Sequence, residues 1–321
     1  MQEMKIITGN ANPALAQAIA DHLEMPLTAA EVGHFADGEI QVKINESVRG
    51  CDVFLVQPTC PPSSENIMEL LILTDALKRA SARRIIAVIP YYGYARQEKK
   101  ATGREPITAK LIADLITVAG GNRLIMVDMH VPSIQGFFNL PVDHLPAGPI
   151  LADYLLRSGF EDANTVVVSP DVGGVGTARA MADRLRSSLA IIAKRRPEPN
   201  QAEVMEVIGD LEGKRAVFVD DMIDTGGSLA AGARAVLERG AASICACATH
   251  PVFSAGAVER LEESCLCEVV VTDTIPVPPE KRTPKIRVLS VAPLLAEAIK
   301  RVHTDASVSS LFDRLWIEDK R

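Results

Sequence analysis

The sequence predicts an α/β protein with two similar open, mostly parallel sheets, each flanked by helices. Three observations predict it. Short apolar runs alternate with helical stretches along nearly the whole chain, which is the rhythm of βα units. At 321 residues the chain is long enough for two domains, each with its own core. The stretch 141–149, PVDHLPAGP, is rich in Pro and Gly and divides the chain into domains 1–147 and 148–321.

In the first half, residues 5–8 read as a strand and 12–22 as a helix with Pro13 at its start. Asp37-Gly38 is a turn signal ahead of the alternation in EIQVKI. Residues 52–57 form a strand, and 64–80 an amphipathic helix with Ile67, Leu70, Leu71, Ala76 and Leu77 at apolar spacing. A strand at 84–90 ends in YYGYARQEKK, a helix covers 106–119, and a strand at 123–128 ends in MHVPSIQGFF. The second half repeats the pattern. A helix at 150–157 and a strand at 165–169 lead to a glycine-rich turn at 171–176, which opens a helix through 185. A strand at 190–193 leads into a charged, proline-punctuated loop, KRRPEPN, and a strand at 204–209 follows. Stretches 243–249, 250–263, 267–272 and 287–290 continue the alternation to a closing helix at 293–302, which can pack back on the N-terminal domain.

Composition excludes several function classes. The balance is 34 basic against 41 acidic residues, a net charge of −7. A nucleic-acid partner is therefore not expected. Aromatic residues make up 4%, which argues against base-stacking platforms. No apolar run approaches the ~20 residues that span a bilayer, so no membrane partner is expected. The start, MQEMKIITGN, lacks a signal-peptide apolar core, and the expected location is the cytoplasm. The six cysteines include two C-x-C pairs, Cys245/Cys247 and Cys265/Cys267. Such pairs can form a four-thiolate zinc site. Cys245 and Cys247, however, lie in a small-residue apolar run, where residues i and i+2 share one face of a strand and fill a core.

The chain is organised around residues 216–228, AVFVDDMIDTGGS. An apolar run, 216–219, meets Asp220, Asp221 and Asp224, then Thr225, Gly226, Gly227 and Ser228, and a helix at 229–238. That order reads as strand, acidic turn, glycine-rich loop and helix start. Glycines let backbone N–H groups turn in around an anion, hydroxyls add donors, and the helix brings its positive end. A phosphate monoester fits there. The acids suit sugar hydroxyls or a phosphate-bound cation.

Parallel sheets bind ligands beyond the carboxyl ends of their strands, and those ends carry the other chemistry-bearing residues. His130 follows Asp128 at one strand end, and Asp171 occupies the matching position of the other half. The two can hold Mg²⁺, as one or two ions, together with ATP phosphates. Lys194-Arg195-Arg196 follows another strand, on a loop long enough to act as a lid that neutralises a transferring phosphoryl group. The basic, aromatic segment YYGYARQEKK suits a polyphosphate. No P-loop and no complete G-x-G-x-x-G is present, so ATP would be held outside both schemes.

The 216–228 stretch resembles the phosphoribosyl-diphosphate loop of the phosphoribosyltransferase fold. A wider set, FADGE, SVRGCD, YYGYARQ, REPITAK, DMH, QGFF, SPDVGG, KRRPEPN and VDDMIDTGGS, resembles the ribose-phosphate pyrophosphokinase family of the common bacterial class. The likeness spans about residues 4–312. It implies phosphoribosyltransferase-like domains and transfer of the pyrophosphoryl group of ATP to the anomeric hydroxyl of ribose 5-phosphate. By this resemblance Phe35, Asp37, Gly38 and Glu39 contact adenine and ribose from a neighbouring subunit, and Arg96 and Gln97 contact ATP. His130 and Asp171 match the metal positions, and Lys194 and Arg196 the catalytic loop. Asp220, Asp221, Asp224, Thr225, Gly226, Gly227 and Ser228 match the ribose 5-phosphate site. Ser47, Arg49, Ser307 and Ser309 resemble an allosteric phosphate site, phosphate being the implied activator, and the implied assembly is a homohexamer. Ser228 stands where many members have Thr, and Val172 where some have His.

A phosphoribosyltransferase shares the 219–228 loop but leaves the N-terminal half unexplained. A catalytically silent regulatory relative would lose the catalytic motifs, which are intact here. A transcription regulator on the same fold would need a helix-turn-helix or a basic arm, and neither is present.

Overall fold

The computed structural model describes residues 3–195 and 204–311. They divide into two compact units. The N-terminal unit takes the chain through Pro146, then Thr274–Pro276 and the described residues from Ser290; the C-terminal unit takes Ala147–Asp273 and Val277–Leu289.

The N-terminal unit begins with β1 (Met4–Thr8), α1 (Pro13–His22), β2 (Ala30–His34), β3 (Ile40–Ile44) and β4 (Asp52–Val56). Helix α2 (Ser63–Arg79), β5 (Arg84–Ile89), α3 (Thr108–Ala119), β6 (Arg123–Val127), a 3₁₀ turn (Pro132–Phe137) and β7 (Val142–Leu145) follow. Five strands form one sheet in the order β1-β4-β5-β6-β7, every neighbouring pair parallel. All five residues of β4, DVFLV, are buried, and after Asp52 they form the continuous apolar run that a sheet covered on both faces requires. Leu70, Leu73 and Leu77 of α2 are fully buried against β4 and β5. Each such leucine contributes about 2 kcal/mol. Asn12 caps α1 by accepting from the Leu15 N–H at 3.2 Å, with Pro13 in the first turn. Strands β2 and β3 form a separate antiparallel hairpin.

The C-terminal unit runs α4 (Gly148–Arg157), β8 (Thr165–Ser169), α5 (Val175–Leu185), β9 (Ser188–Arg195), β10 (Val204–Ile208), β11 (Arg215–Ile223), α6 (Gly227–Glu238), β12 (Ser243–Pro251), α7 (Ala257–Glu263), β13 (Glu268–Thr272) and β14 (Ile286–Leu289). The sheet order is β10-β9-β8-β11-β12-β13-β14, parallel except for the edge pair β9–β10. Strand β11 lies at its centre. Ala216 and Phe218 enter the core on one face, and Val217 and Val219 the core on the other. Helix α8 (Ala292–His303) then returns to the N-terminal unit and packs on α1.

The parallel α/β class is as expected, and three local readings are corrected. The 141–149 stretch holds the change of unit between Pro146 and Ala147, and it also contains β7, where Asp143 is buried in an ion pair with Arg123 rather than solvated. Lys194 and Arg195, expected in a loop, are the last residues of β9 and pair with β10. Asp220 and Asp221, expected in a turn, belong to β11, which runs on to Ile223 alongside β12. The expected element 250–263 is shorter: β12 continues to Pro251 and α7 begins only at Ala257. Cys245 and Cys247 face one core with Val217 and Val219, as core filling requires.

At the amino ends of the N-terminal strands lies a buried ion cluster. Asp52 has no exposed side-chain surface and accepts from Arg83 at 2.6 Å, Arg84 at 2.5 Å and His303 at 3.1 Å. Burial alone would raise its pKa, but hydrogen bonds from Arg84, Arg83 and His303 outweigh burial and hold it at about 2. Arg84 also reaches Asp305, so both His303 and Asp305 tie the end of α8 to β4 and β5.

Candidate active site

In the C-terminal unit the chemistry converges where β11 passes into α6. Asp220 and Asp221 are half-buried, and the Asp221 N–H donates to the Asp220 carboxylate at 2.8 Å. Burial, then the neighbouring Asp221 and the charge on Asp171, raise the Asp220 pKa to about 8. Asp171 is therefore electrostatically part of this acidic group. Its carboxylate also accepts the Gly174 N–H at 2.8 Å ahead of α5.

Beside them the chain turns into the helix. Gly226 has φ +71°, a left-handed conformation that an L side chain adopts only with strain. From there α6 starts with Gly227 and Ser228 and has no side-chain cap. The first N–H groups of a twelve-residue helix thus meet the loop, which is the local condition for holding a phosphate. Asp224 faces elsewhere. Its carboxylate accepts from the Ser254 hydroxyl, and its carbonyl accepts the Ser254 N–H at 3.1 Å. The Arg260 guanidinium donates to the Thr225 carbonyl and braces the loop from α7.

In the N-terminal unit the expected residues fall into three places. Phe35, half exposed, and Asp37, Gly38 and Glu39 form the tip of the β2–β3 hairpin. The tip is closed by Phe35 N–H to Glu39 O at 2.8 Å and Glu39 N–H to Asp37 Oδ1 at 3.1 Å. Arg96 and Gln97 follow β5, where Gln97 Oε1 accepts from the Thr108 hydroxyl at 2.6 Å at the start of α3. His130 follows β6, exposed, in a turn where both Asp128 (φ +34°) and His130 (φ +64°) are left-handed. Strands β5 and β6 are neighbours, so these two ends lie side by side. The contact is electrostatic as well. Burial opposes ionisation of Glu98, but its hydrogen bond with Lys99, helped by the charge on His130, lowers its pKa.

Ser307 and Ser309 lie in the turn after α8, their hydroxyls 2.8 Å apart. They line a cavity of about 530 Å³ with Arg123, Gln135, Asp143 and His144. Ser47 and Arg49 do not line it; Arg49 instead reaches the Ser81 hydroxyl at 3.5 Å. Lys194 is the next-to-last residue of β9, its backbone opposite Met205, and Arg196 lies outside the described residues.

Sequence reasoning missed Arg123, Gln135, Asp143 and His144. Asp143 and His144 sit in a four-residue strand hidden by the surrounding Pro and Gly, and no local pattern pairs either with Arg123, about 20 residues away. Among the described residues no three His, Cys, Asp or Glu side chains converge as a metal cage. Burial pushes the Cys245 thiol up to about 12 and also raises Cys247, which keeps both protonated.

Two family models match the chain. One describes the N-terminal domain of ribose phosphate pyrophosphokinase and matches residues 4–120; the other, a phosphoribosyl synthetase-associated domain, matches residues 195–313. A ribose-phosphate pyrophosphokinase of Caldanaerobacter subterraneus subsp. tengcongensis is 60% identical over 96% of this chain and 98% of its own. One from Corynebacterium ammoniagenes is 54% identical over 97% of each. The crystal structure of a phosphoribosylpyrophosphate synthetase from Mycobacterium smegmatis superposes with a TM-score of 0.90 at 45% identity, over 95% of this chain and all of that one. With the acid-and-glycine loop of the C-terminal unit and two strand ends of the N-terminal unit already in place, the chain belongs to the ribose-phosphate pyrophosphokinase family.

Proposed function

We propose that the protein transfers the β,γ-pyrophosphoryl group of ATP to the anomeric hydroxyl of ribose 5-phosphate, giving 5-phosphoribosyl 1-diphosphate and AMP. The observation that carries this reading is 60% identity to a ribose-phosphate pyrophosphokinase across nearly the whole of both chains. In the reaction the sugar oxygen bonds to the β-phosphorus, the bond from that phosphorus to the bridging oxygen of AMP breaks, and the hydroxyl proton is released. No covalent intermediate is required, so the protein supplies position and charge.

The roles of individual residues are part of the proposal. The N–H groups at the start of α6, with Thr225 and Ser228, hold the 5-phosphate, and Gly226 and Gly227 let the backbone close on it. Asp220 and Asp221 receive the ribose hydroxyls. Arg96 and Gln97 hold ATP, and the Phe35–Glu39 tip offers adenine and ribose contacts to a neighbouring copy. Lys194 and Arg196 stabilise charge as the bond to AMP breaks.

His130 in the first unit and Asp171 in the second are each proposed to give one ligand to Mg²⁺, since a hard cation held by few protein groups completes its shell with water and phosphate oxygens. When bound, such an ion shields the polyphosphate and polarises it toward attack. The raised pKa of Asp220 is consistent with a site that becomes ionised when a cation or sugar arrives.

Self-association, proposed to reach a homohexamer, is supported by the solvent face of α3 and its approach. Ile107, Leu111, Leu115 and Val118 are exposed at helical spacing, an apolar stripe that a second copy can cover. The hydroxyl-lined cavity at Ser307 and Ser309 is proposed to take activating phosphate, with Ser47 and Arg49 supplied by another copy. No helix among the described residues is long and apolar enough to cross a membrane, which accords with the proposed cytoplasmic location.

The test is AMP release from ATP and Mg²⁺ in phosphate buffer, with and without ribose 5-phosphate. AMP that requires the sugar phosphate and matches phosphoribosyl diphosphate one to one is expected. Ribose 5-phosphate binding without any AMP would move the reading to a silent regulatory relative or a transferase.

A further inference from the structure

His144 belongs at once to the Ser307/Ser309 cavity and to the His130 turn. Its ring lines the cavity. Its Nε2 accepts the Met129 N–H at 3.2 Å. The β6–β7 ladder explains why this bond matters. Backbone pairing runs through Val127 and Leu145 and closes with the Asp128 N–H to the Leu145 carbonyl at 3.2 Å. The next N–H, that of Met129, has left the ladder and goes to a side chain instead. Met129 is buried, so losing that acceptor would leave a backbone donor away from water. On either side of it Asp128 and His130 hold left-handed backbone, a conformation that persists only where surrounding bonds fix it.

A second link joins the same turn to the same cavity. The Val131 N–H donates to the Met129 carbonyl at 2.7 Å, and the chain passes directly into the 3₁₀ turn that carries Gln135 to the cavity wall. The bond itself places a lone pair on Nε2, and burial lowers the pKa of His144 against the opposing charge of Asp128, whose carboxylate lies 3.9 Å from the same nitrogen.

We propose that His144 is a positioning residue: through Met129 it fixes the Asp128–His130 turn, and it carries the filling of the Ser307/Ser309 cavity to that turn. This rests on the reading above in which His130 serves the ATP end of the reaction. An occupant that presses on the His144 ring tightens or loosens one hydrogen bond, and the strained turn on the other side of that bond responds.

The experiment compares the full-length protein with its His144→Leu and His144→Gln variants. Leu keeps bulk without an acceptor, whereas Gln can place an oxygen near the Nε2 position. Hydrogen exchange at the 128–131 amides is measured with and without inorganic phosphate, beside kcat and KM. In His144→Leu, exchange at Met129 should speed up at least tenfold and kcat should fall about tenfold. The KM for ribose 5-phosphate should stay unchanged, and phosphate should no longer alter exchange at the turn. His144→Gln should restore protection and most of kcat. Wild-type protection and kcat in His144→Leu would overturn the proposal, as would a Gln variant no better than Leu. A turn that ignores phosphate in the wild type would overturn the coupling. If His130→Ala keeps full kcat, the role given to the turn fails, while the exchange measurement still decides the role of His144.

Discussion

The end of β11 and the end of β6 carry comparable chemistry, but they are built differently. The C-terminal site is contiguous: Asp220 through Ser228 supplies acids, glycines, hydroxyls and helix N–H groups within nine neighbouring positions. The N-terminal site is assembled. His130 follows one strand and Arg96 another, and the backbone between Asp128 and His130 is held by a histidine from β7. A contiguous site depends on local sequence, so substitutions in it should act on one ligand. An assembled site depends on tertiary bonds, so changes distant from the ligand should reach it.

The largest expected effect lies on the C-terminal side. Lys194→Ala should lower kcat by about 10³-fold and barely move either KM, the mark of a charge that acts in the transition state. Steady-state kinetics checks it, and a pure KM effect would remove Lys194 from that role. Next, Asp220→Asn with Asp221→Asn should weaken ribose 5-phosphate about 10²-fold, judged from two lost charged hydrogen bonds. ATP binding, read by calorimetry, should be almost unchanged. A large loss of ATP binding would mean that the acids hold the metal, and the two sites would then not be separable.

The units should also answer pH with opposite signs. The folded pKa of Asp52 is depressed from 3.8 to about 2, so its stabilisation is present above pH 4 and is lost as pH falls through 2. That shift corresponds to about 2 kcal/mol, less whatever solvent screens at its part-exposed arginines. The folded pKa of Asp220 is raised from 3.8 to about 8, so its stabilisation is present below pH 4 and is lost as pH rises through 8. Denaturant unfolding across pH 2–9, followed by hydrogen exchange in each unit, should show the N-terminal unit weakening in acid. The C-terminal unit should weaken toward pH 8, and millimolar Mg²⁺ should flatten that second slope. Asp52→Asn should remove the acid response, and a profile identical to wild type would reject the assignment.

A smaller effect is expected at the assembled site. His130→Ala should lower kcat and raise the KM for ATP, each about tenfold, while leaving ribose 5-phosphate binding intact, as loss of one metal contact does. Isothermal titration with each substrate separates the two. Equal losses for both would break the division of labour.

The contrast also explains what the sequence showed. Runs such as VFLV and AVFV were legible because a buried parallel strand is largely apolar. The acid-and-glycine loop was legible because its residues are local. Three features were not. Strand β7 is four residues long and hides a buried aspartate that only a partner 20 positions away makes tolerable. The extension of β11 through its own acids breaks the rule that charge ends a strand, and the reason is pairing with β12 out to Ile223. The Met129–His144 bond could not be foreseen, since it arises only when two strands lie in register.

The return of α8 to the first unit has a consequence for synthesis. Every described residue of the C-terminal unit has been made by Leu289, whereas the N-terminal unit still lacks the helix that covers α1 and the histidine that meets buried Asp52. A growing chain therefore finishes the described part of its second unit before that of its first. A ribosome that stops near residue 290 releases a protein whose N-terminal half carries an uncovered apolar face and an incompletely bonded carboxylate. Such a product offers chaperones and proteases a clear sign that the chain is incomplete.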